Sequence, residues 1–376
     1  MTGRVLIHAG THKTASTYIQ ERLHLNQLSL SEHGYTYQYP NPAKPTFKSL
    51  ASDICKGKLD SLKDFIDSHH NNNKDLLLSA EQFSVPLTNT KTLKKIQAIT
   101  KARGYELTII IFIRSQLDYI NSRYNYSLRR FYHTCSFDEF LNAALKGRLP
   151  GESRQRGQLI KRNNIFDFLH FFKPLLNARA SDLEVKFIPF KQGNQDPFDQ
   201  FLDSIGLTPG SHWLNCRNRY LNRSPGTRGV WLSRLLSQRL EKLGIQPEQI
   251  EGSSKIILNE EQWRGWHDPA HWGYSKKGAK STYAHFAQSN DLFARTVWGK
   301  DWQKLFPEDA ALIKRQRSTY RPQSLQEELM MHGIADHLLS RIQHKLNPKP
   351  WHVLTDPVER LSSRVKPRTR SSAQKL

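Results

Sequence analysis

A continuous apolar run, Leu107-Thr-Ile-Ile-Ile-Phe-Ile113, constrains the fold more than any other feature of the chain. Most of its residues are β-branched, and polar and apolar residues do not alternate along it. A strand needs such a composition when both of its faces are covered, and strands covered on both faces belong to parallel sheets. The run therefore predicts a central strand of a parallel sheet.

Strand-like segments alternate with helical patterns throughout the N-terminal half. The other predicted strands cover residues 4–7, 74–81 and 183–190, and the predicted helices cover residues 93–102, 118–126, 165–176 and 197–205. Pro174 is expected to end the third of these helices early. The alternation predicts an α/β fold of three layers, in which helices cover both faces of a parallel sheet.

The sequence changes character after Gly206, where tryptophans are scattered among polar and basic residues and strand-like segments become rare. We expect residues 1–210 to form the α/β core and residues 211–346 to form a mainly helical part packed on it. An amphipathic pattern predicts a last helix over residues 325–346. Residues 347–376 are basic and contain Pro and Ser, which predicts a mobile tail.

The 376 residues carry a formal net charge of +22 at pH 7. This excess suits an anionic partner, such as nucleic acid, an anionic membrane surface, or anionic small molecules and polymers. Solvated loops and the tail are the alternative explanation, because charges there need no partner. The charge therefore narrows the class of partner without selecting one.

The three cysteines, Cys55, Cys135 and Cys216, lie far apart and form no CxxC pair. This spacing indicates neither a disulfide framework nor a zinc site, and it is typical of a reducing compartment. No apolar run is long enough to span a membrane, and strand residues begin at Arg4, which leaves no room for a signal peptide. The sequence therefore predicts a cytoplasmic protein without a transmembrane segment.

A loop rich in hydroxyl groups follows the first strand, at residues 8–17, and a helical pattern begins directly after it. The N-terminus of a helix presents unpaired N–H groups and the positive end of the helix dipole to an anion. Lys13 adds a full positive charge, and Thr14, Ser16 and Thr17 add hydroxyl donors. These features predict a phosphate-binding loop.

The loop does not match the G-x-x-x-x-G-K-[ST] pattern of nucleoside triphosphatases. Gly10 is its only glycine, and His12 stands before Lys13 in place of the second glycine. Those enzymes also need a strand that ends in Asp to hold Mg²⁺, whereas the strongest strand here ends in Arg114. A guanidinium binds phosphate or carboxylate through paired donors, so we expect two anion sites and no metal site.

Arg114 lies at a strand end, and Ser122 follows eight residues later, near the start of the next predicted helix. Ligands of open α/β sheets bind beyond the carboxyl ends of the strands. We therefore expect Arg114, Ser122 and the loop to meet at one edge of the sheet. A buried ion pair of Arg114 with Glu81 or Asp118 is the alternative interpretation.

Both segments resemble the cofactor signatures of the sulfotransferases that use 3′-phosphoadenosine-5′-phosphosulfate (PAPS). Lys13-Thr-Ala-Ser-Thr17 is similar to the 5′-phosphosulfate loop of that family, and Arg114 with Ser122 and Tyr124 is similar to its 3′-phosphate motif. Weaker similarity extends to about residue 306 and includes residues 77–81, 222–224 and, as in bacterial members, 286–290. The chain departs from the family at Ala15, where Gly is usual, and it has no recognisable Arg-Lys-Gly motif.

The resemblance implies a P-loop-type fold and transfer of a sulfuryl group from PAPS to an acceptor hydroxyl without a metal. It assigns Lys13 to the bridging and leaving oxygens, where charge develops. It also assigns Arg114 and Ser122 to the 3′-phosphate, and Arg223 to the closing of the nucleotide site. The residues that it assigns to the 5′-phosphosulfate are Gly10, Thr11, Lys13, Thr14, Ala15, Ser16 and Thr17.

The base that accepts the hydroxyl proton is expected near this loop. Glu81, at the end of the second predicted strand, is the first candidate, and His8 and His12 at the loop come second. Tyr124 is expected to serve packing rather than chemistry. The acceptor is expected to be a carbohydrate or another polar molecule, and the basic excess favours an anionic saccharide with sulfate or uronic-acid groups.

Two other functions are compatible with the sequence. A metal-dependent kinase would use the same kind of loop. A nucleic-acid-binding protein could use a degenerate form of the fold, with tryptophans and arginines of the C-terminal half as contacts. The paired motifs favour the sulfotransferase, for which no nucleic-acid partner is expected. The acceptor and the oligomeric state stay open, because variable loops form acceptor pockets in such folds.

Overall fold

The computed structural model describes residues 3–69, 74–150, 159–161, 165–178, 183–190, 195–216 and 223–347. The predicted tail, except Asn347, lies outside this part of the chain, and so does Asn222. No helix within the described ranges is long and apolar enough to cross a membrane.

Five strands form one parallel sheet, as the alternation of strands and helices predicts. They are β1 (Gly3–His8), β2 (Tyr35–Thr36), β3 (Asp75–Ser79), β4 (Tyr105–Ile113) and β7 (Leu183–Pro189). Their order across the sheet is β2-β3-β1-β4-β7. A separate antiparallel pair consists of β5 (Arg148–Pro150) and β6 (Leu159–Lys161).

The strand order places β1 in the middle of the sheet, with Ile7 between Leu78 of β3 and Ile109 of β4. After β1 the chain forms β2 and β3 on one side, and it then crosses to form β4 and β7 on the other. Ligands of open α/β sheets bind where the order reverses in this way, beyond the carboxyl ends of the strands. The segments that follow β1 and β4 at this point carry Lys13 and Arg114.

Strand β4 confirms the prediction made from the apolar run. Each residue from 107 to 113 is buried, and the strand lies between β1 and β7. Neither face of β4 needs polar residues, because helices flank the sheet. The carboxyl end of this strand is therefore a fixed point from which Arg114 projects.

The helices before Gly206 belong to the α/β core. They are α1 (Ser16–Leu25), α2 (Gln27–Glu32), α3 (Lys48–Cys55), α4 (Asp60–Asp67), α5 (Ser84–Leu87), α6 (Thr90–Lys101), α7 (Gln116–Arg129), α8 (Phe137–Leu145), α9 (Phe168–Phe171), α10 (Lys173–Asn177) and α11 (Pro197–Ile205). A 3-10 turn at Glu81–Phe83 follows β3. The C-terminal helices are α12 (Thr227–Lys242), α13 (Ser253–Trp263), α14 (Lys276–Trp298), α15 (Trp302–Leu305), α16 (Asp309–Lys314) and α17 (Leu325–Leu346).

The C-terminal part is helical, as predicted, and it packs on the core along α7. The side chain of Asn121 donates to the carbonyl of His271 and accepts from the N–H of Gly273, both at 3.0 Å. The side-chain amides of Gln116 and Asn290 exchange two hydrogen bonds. Since α7 begins directly after Arg114, these contacts also fix the helix that carries Ser122.

The prediction of one helix over residues 165–176 was wrong, because two short helices, α9 and α10, occupy this segment. Pro174 lies in the first turn of α10, where its missing N–H costs no helical hydrogen bond. It therefore helps to start α10 instead of ending a longer helix. Phe168 and Phe172 both pack near the ring of Phe293 in α14, which positions the two short helices against the same neighbour.

Candidate functional site

The loop after β1 is fixed to the end of β4 by three backbone hydrogen bonds. Ala9 donates to Ile110 at 2.9 Å, Thr11 donates to Phe112 at 3.1 Å, and Phe112 donates to Gly10 at 2.6 Å. The segment after β1 is therefore hydrogen-bonded directly to the end of β4. The segment that carries Lys13 is held in a defined position relative to the strand that carries Arg114.

Hydroxyl groups organise the loop from within. Thr14 Oγ1 donates to the carbonyl of Thr11 at 2.6 Å, and Ser16 Oγ approaches the same carbonyl at 3.3 Å. Both side chains are buried, whereas Thr17 is exposed at the start of α1. The hydroxyl groups of Thr14 and Ser16, which the sequence predicts as donors to an anion, therefore donate within the loop in this structure.

Gly10 is needed both for its backbone conformation and for a close contact. Its φ of +84° lies in the left-handed region, which favours glycine. A Cβ added there would lie 3.2 Å from Cβ and 3.3 Å from Cα of Glu81. The loop and the turn that carries Glu81 are thus in direct contact.

Ala15 also has a left-handed backbone, with φ of 56° and ψ of 20°. The Ala15→Gly variant is expected to raise the free energy of unfolding by about 0.5–1 kcal/mol, because removing Cβ relieves a steric cost larger than the added backbone entropy. Ala98 is exposed inside α6, and Ala98→Gly is the matched control, expected to lower that free energy by about 1 kcal/mol. Urea unfolding measures both values, and equal losses in the two variants would contradict the strained conformation.

Arg114 joins the two sequence motifs. Its Nη1 atom donates to the carbonyl of Lys13 at 2.6 Å. Its Nε and Nη2 atoms lie 2.7 and 2.5 Å from one carboxylate oxygen of Asp118. The side chain is 11% exposed, and its guanidinium lies 5.6 Å from the ring centre of Phe190. The ion pair considered from the sequence is therefore present, with Asp118 as the partner.

One face of α7 continues from this ion pair. Ser122 follows Asp118 by four residues and Tyr126 follows by four more, so all three side chains share one side of the helix. Ser122 is buried, and Tyr126 is partly exposed. Tyr124 points elsewhere and stacks on His271 with ring centres 5.6 Å apart, which agrees with the packing role expected for it.

Cations surround Tyr126. Lys13 Nζ lies 4.9 Å from its ring centre, and the guanidinium carbons of Arg129 and Arg130 lie 6.0 and 5.4 Å from it. Among the residues that the structure describes, none accepts a hydrogen bond from the buried Nε atom of either arginine. We call Lys13, Arg114, Arg123, Arg129 and Arg130 the cation cluster, because the charges of Arg129, Arg114 and Arg123 act on Lys13 and the charge of Arg130 acts on Arg129.

The cation cluster carries electrostatic strain. Burial, together with the charges of Arg129, Arg114 and Arg123, lowers the pKa of Lys13 to about 7, although the charge of Glu81 raises it. Burial also lowers the pKa of Arg129, and Arg130 adds to that effect. Like charges held together in a low-dielectric region repel one another. An anion placed among them would relieve this repulsion.

Glu81 pairs with His12, whose Nδ1 atom lies 3.1 Å from Oε1 of the carboxylate. Burial by itself raises the pKa of Glu81. The charge and hydrogen bond of His12, with the charges of Arg123 and Lys48, outweigh that effect and lower the pKa to about 2. Glu81 is therefore a carboxylate at neutral pH, and it holds the imidazole of His12 in place.

His8 lies in the core beneath the loop. It has no exposed surface, its Nδ1 atom is 2.7 Å from Ser79 Oγ, and its ring packs edge-on against Phe112 and Phe201. Burial lowers its pKa to about 4, although the charge of Glu81 raises it. The structure thus places His8 as a neutral core residue, separate from the exposed side of the site.

The C-terminal part reaches the cation cluster at Arg223. The backbone carbonyl of this residue accepts a hydrogen bond of 2.7 Å from Nη1 of Arg129, while Arg223 itself is exposed. The residues that sequence reasoning missed are Arg123, Tyr126, Arg129 and Arg130. The available signal was their spacing of three or four residues, which places one aromatic ring among several cations on a helix, but Arg129 and Arg130 lie beyond the predicted end of that helix at residue 126.

The fold and the site together define an α/β protein with a cation-rich loop site at the reversal point of its sheet. Within the described ranges, no group of three or more His, Cys, Asp or Glu side chains could hold a metal ion. No family model, no curated protein and no solved structure matches the chain.

Proposed function

We propose that this chain is a sulfotransferase that moves a sulfuryl group from PAPS to the hydroxyl of a polar acceptor. The hydrogen bond from Arg114 to the carbonyl of Lys13 carries the proposal. It brings into contact the two motifs that resemble the phosphate sites of the donor, although 101 residues separate them. PAPS has a phosphosulfate and a 3′-phosphate, so it needs two adjacent anion sites of this kind.

Lys13 supports the departure of the nucleotide. In the reaction the acceptor oxygen forms a bond to sulfur, the bond from sulfur to the bridging oxygen breaks, and negative charge builds on that oxygen. A cation fixed beside this oxygen lowers the barrier most when water is excluded. Lys13 is partly buried and has a pKa of about 7, so it can provide a charge, or a proton, near neutral pH. Backbone N–H groups of residues 14–17 would hold the 5′-phosphate.

Arg114 retains donors for a 3′-phosphate. A guanidinium has five N–H groups, and three of them point to Asp118 and Lys13. One N–H on each terminal nitrogen remains, and together they match the paired oxygens of a phosphate. Ser122, one turn beyond Asp118, adds a hydroxyl on the same face. ATP has no 3′-phosphate, so this pair of residues would select PAPS over ATP.

His12 suits the role of general base better than Glu81. Oε1 of Glu81 is already engaged by His12, and the charges of Arg123 and Lys48 also favour the carboxylate form of Glu81, so this carboxylate is a weak proton acceptor. Its hydrogen bond to Nδ1 leaves Nε2 of His12 as the nitrogen that can take the acceptor proton. Glu81 would then orient the ring and stabilise the imidazolium, as a carboxylate does in other His-dependent sites. This assignment reverses the order expected from the sequence.

The experiment that tests the function is calorimetry with 3′-phosphoadenosine 5′-phosphate in the absence of metal. Binding by the wild-type protein, followed by transfer of labelled sulfate from PAPS to a saccharide panel, supports the proposal. If ATP with Mg²⁺ binds and the bisphosphate does not, the sulfotransferase proposal is contradicted and the function is that of a metal-dependent kinase. Binding of a generic oligonucleotide that survives loss of both Lys13 and Arg114 would favour the nucleic-acid-binding protein instead.

The pKa of Lys13 predicts that affinity for the bisphosphate falls as the pH rises. A bound phosphate favours the charged lysine, so binding by the neutral form must take up a proton. With a pKa of about 7 in the free protein, the affinity is expected to fall about twentyfold between about pH 7.5 and 9. Calorimetry across this range measures the slope. Lys13→Arg stays charged and should show little change, and an equal slope in both proteins would contradict the role of Lys13.

A further inference from the structure

A cavity of about 230 Å³ adjoins the loop site. It lies between α1 and the segment of residues 37–46, and its lining includes Thr17 at the start of α1 and Ser79 at the end of β3. Ser79 is two residues before Glu81, and Thr46 is two residues before Lys48, whose charge acts on Glu81. The cavity is therefore lined by the segments that lead into Glu81 and Lys48, and by Thr17 of the loop site.

One wall of the cavity is polar. Thr17, Gln20, Glu21 and His24 line it, and their spacing of three or four residues places them on one face of α1. The opposite face of this helix buries Ile19 and Leu23 in the core. The polar face thus offers hydroxyl, amide, carboxylate and imidazole groups to a ligand that can both donate and accept hydrogen bonds.

The other wall is aromatic. Tyr37 and Tyr39 line the cavity, with ring centres 5.4 Å apart, and the ring of Tyr39 lies 5.6 Å from that of His24. Phe47 packs against both tyrosines from the core side. Aromatic rings on one side and hydrogen-bonding groups on the other match a molecule with apolar C–H faces and hydroxyl edges, which is the pattern of a sugar ring.

We infer that this cavity is the acceptor site and that it binds one uncharged sugar ring. The volume suits a single six-membered ring. Glu21 is the carboxylate in the lining and would repel a uronate or a sulfated ring at this position. Lys13, Arg129 and Arg130 lie around Tyr126 on the donor side, while Lys48 acts on Glu81. The inference rests on the proposed function, and it corrects the expectation of an anionic acceptor for the ring that occupies the cavity.

The test uses pairs of methyl glycosides that differ only at C6. Methyl glucoside is compared with methyl glucuronide, and methyl galactoside with methyl galacturonide, by ligand-observed NMR titration of the protein with and without 3′-phosphoadenosine 5′-phosphate. At least one neutral glycoside is expected to bind about threefold or more tightly than its uronide. Equal or tighter binding of both uronides, or binding of no glycoside, overturns the inference.

Variants of Glu21 and Tyr39 test whether the glycosides bind in the cavity. Glu21→Gln keeps the shape of the side chain and is expected to remove the preference for the neutral ring. Tyr39→Ala is expected to weaken both members of a pair about fivefold, while Tyr39→Phe retains binding. Unchanged binding in Tyr39→Ala, in a protein that still unfolds cooperatively, places the sugar elsewhere and overturns the inference.

The donor assay separates this inference from the proposed function. The same protein preparations are titrated with 3′-phosphoadenosine 5′-phosphate by calorimetry, and both cavity variants are expected to bind it within about twofold of the wild-type affinity. If the glycosides bind as expected and the bisphosphate does not, the sugar site is supported and the proposed sulfotransferase function is contradicted. If the bisphosphate binds and no glycoside does, only the acceptor inference falls.

Discussion

Replacing Arg114 by alanine is expected to weaken binding of 3′-phosphoadenosine 5′-phosphate at least about a hundredfold. Two charge-assisted hydrogen bonds to the 3′-phosphate are lost, each worth about 1.5–3 kcal/mol. In addition, Asp118 loses the cation that pairs with it and becomes an unpaired negative charge beside the phosphate. Calorimetry of the wild-type and Arg114→Ala proteins measures the change.

Two controls make this result specific. Adenosine 5′-monophosphate lacks the 3′-phosphate, so its affinity should change far less in Arg114→Ala. Asp118→Asn keeps the shape of the side chain and removes its competition for the guanidinium, so the bisphosphate should bind at least as tightly as in the wild type. An equal loss for both nucleotides would mean that Arg114 acts only through its hydrogen bond to Lys13, and the 3′-phosphate site would then lie elsewhere.

Replacing Lys13 by methionine is expected to lower kcat about 10²–10³-fold, since it removes a fixed charge from the leaving oxygen. The affinity for the bisphosphate at about pH 7.5 should fall about twentyfold, the loss expected when Lys13 is deprotonated, because the loop N–H groups and Arg114 remain. Methionine retains the length and apolar contacts of the side chain near Tyr126. Single-turnover transfer of labelled sulfate measures the chemical step, and a rate within tenfold of the wild type would contradict the assignment.

Stability provides the control for Lys13→Met. The lysine is partly buried, and neighbouring arginines lower its pKa, so its removal relieves repulsion within the cation cluster. The melting temperature should therefore stay the same or rise. A lower rate together with a lower melting temperature would indicate a damaged loop. A lower rate at an unchanged melting temperature indicates that Lys13 acts in the chemical step.

The sequence predicted where the two motifs would meet, and the physical basis is the geometry of parallel sheets. The apolar composition of 107–113 requires cover on both faces, which requires a parallel sheet with helices around it. Lys13 and Arg114 follow two strands of that sheet, and parallel strands end at the same edge. The contact between their segments was thus predictable, although the hydrogen bond itself was not.

Other features needed the packed structure, because they depend on which way a side chain points. The sequence offered both Asp118 and Glu81 as partners for an ion pair with Arg114. The structure shows that Asp118, in the first turn of α7, is the partner. Glu81 became the partner of His12 because Gly10 lets the loop approach its backbone closely. Pro174 at the start of α10 is visible in the sequence, but the packing of Phe168 and Phe172 against Phe293 is not contained in local periodicity.

By itself the sequence determined the parallel sheet, the hydroxyl-rich loop after its first strand and the positions of Lys13 and Arg114 along the chain. These follow from local composition and from the shared direction of the strands. Only the tertiary structure decided that α7 brings Arg123, Arg129 and Arg130 to Lys13, and that residues 37–46 enclose a cavity beside α1. Such arrangements depend on how helices and loops rotate onto the sheet, and long-range packing sets that rotation.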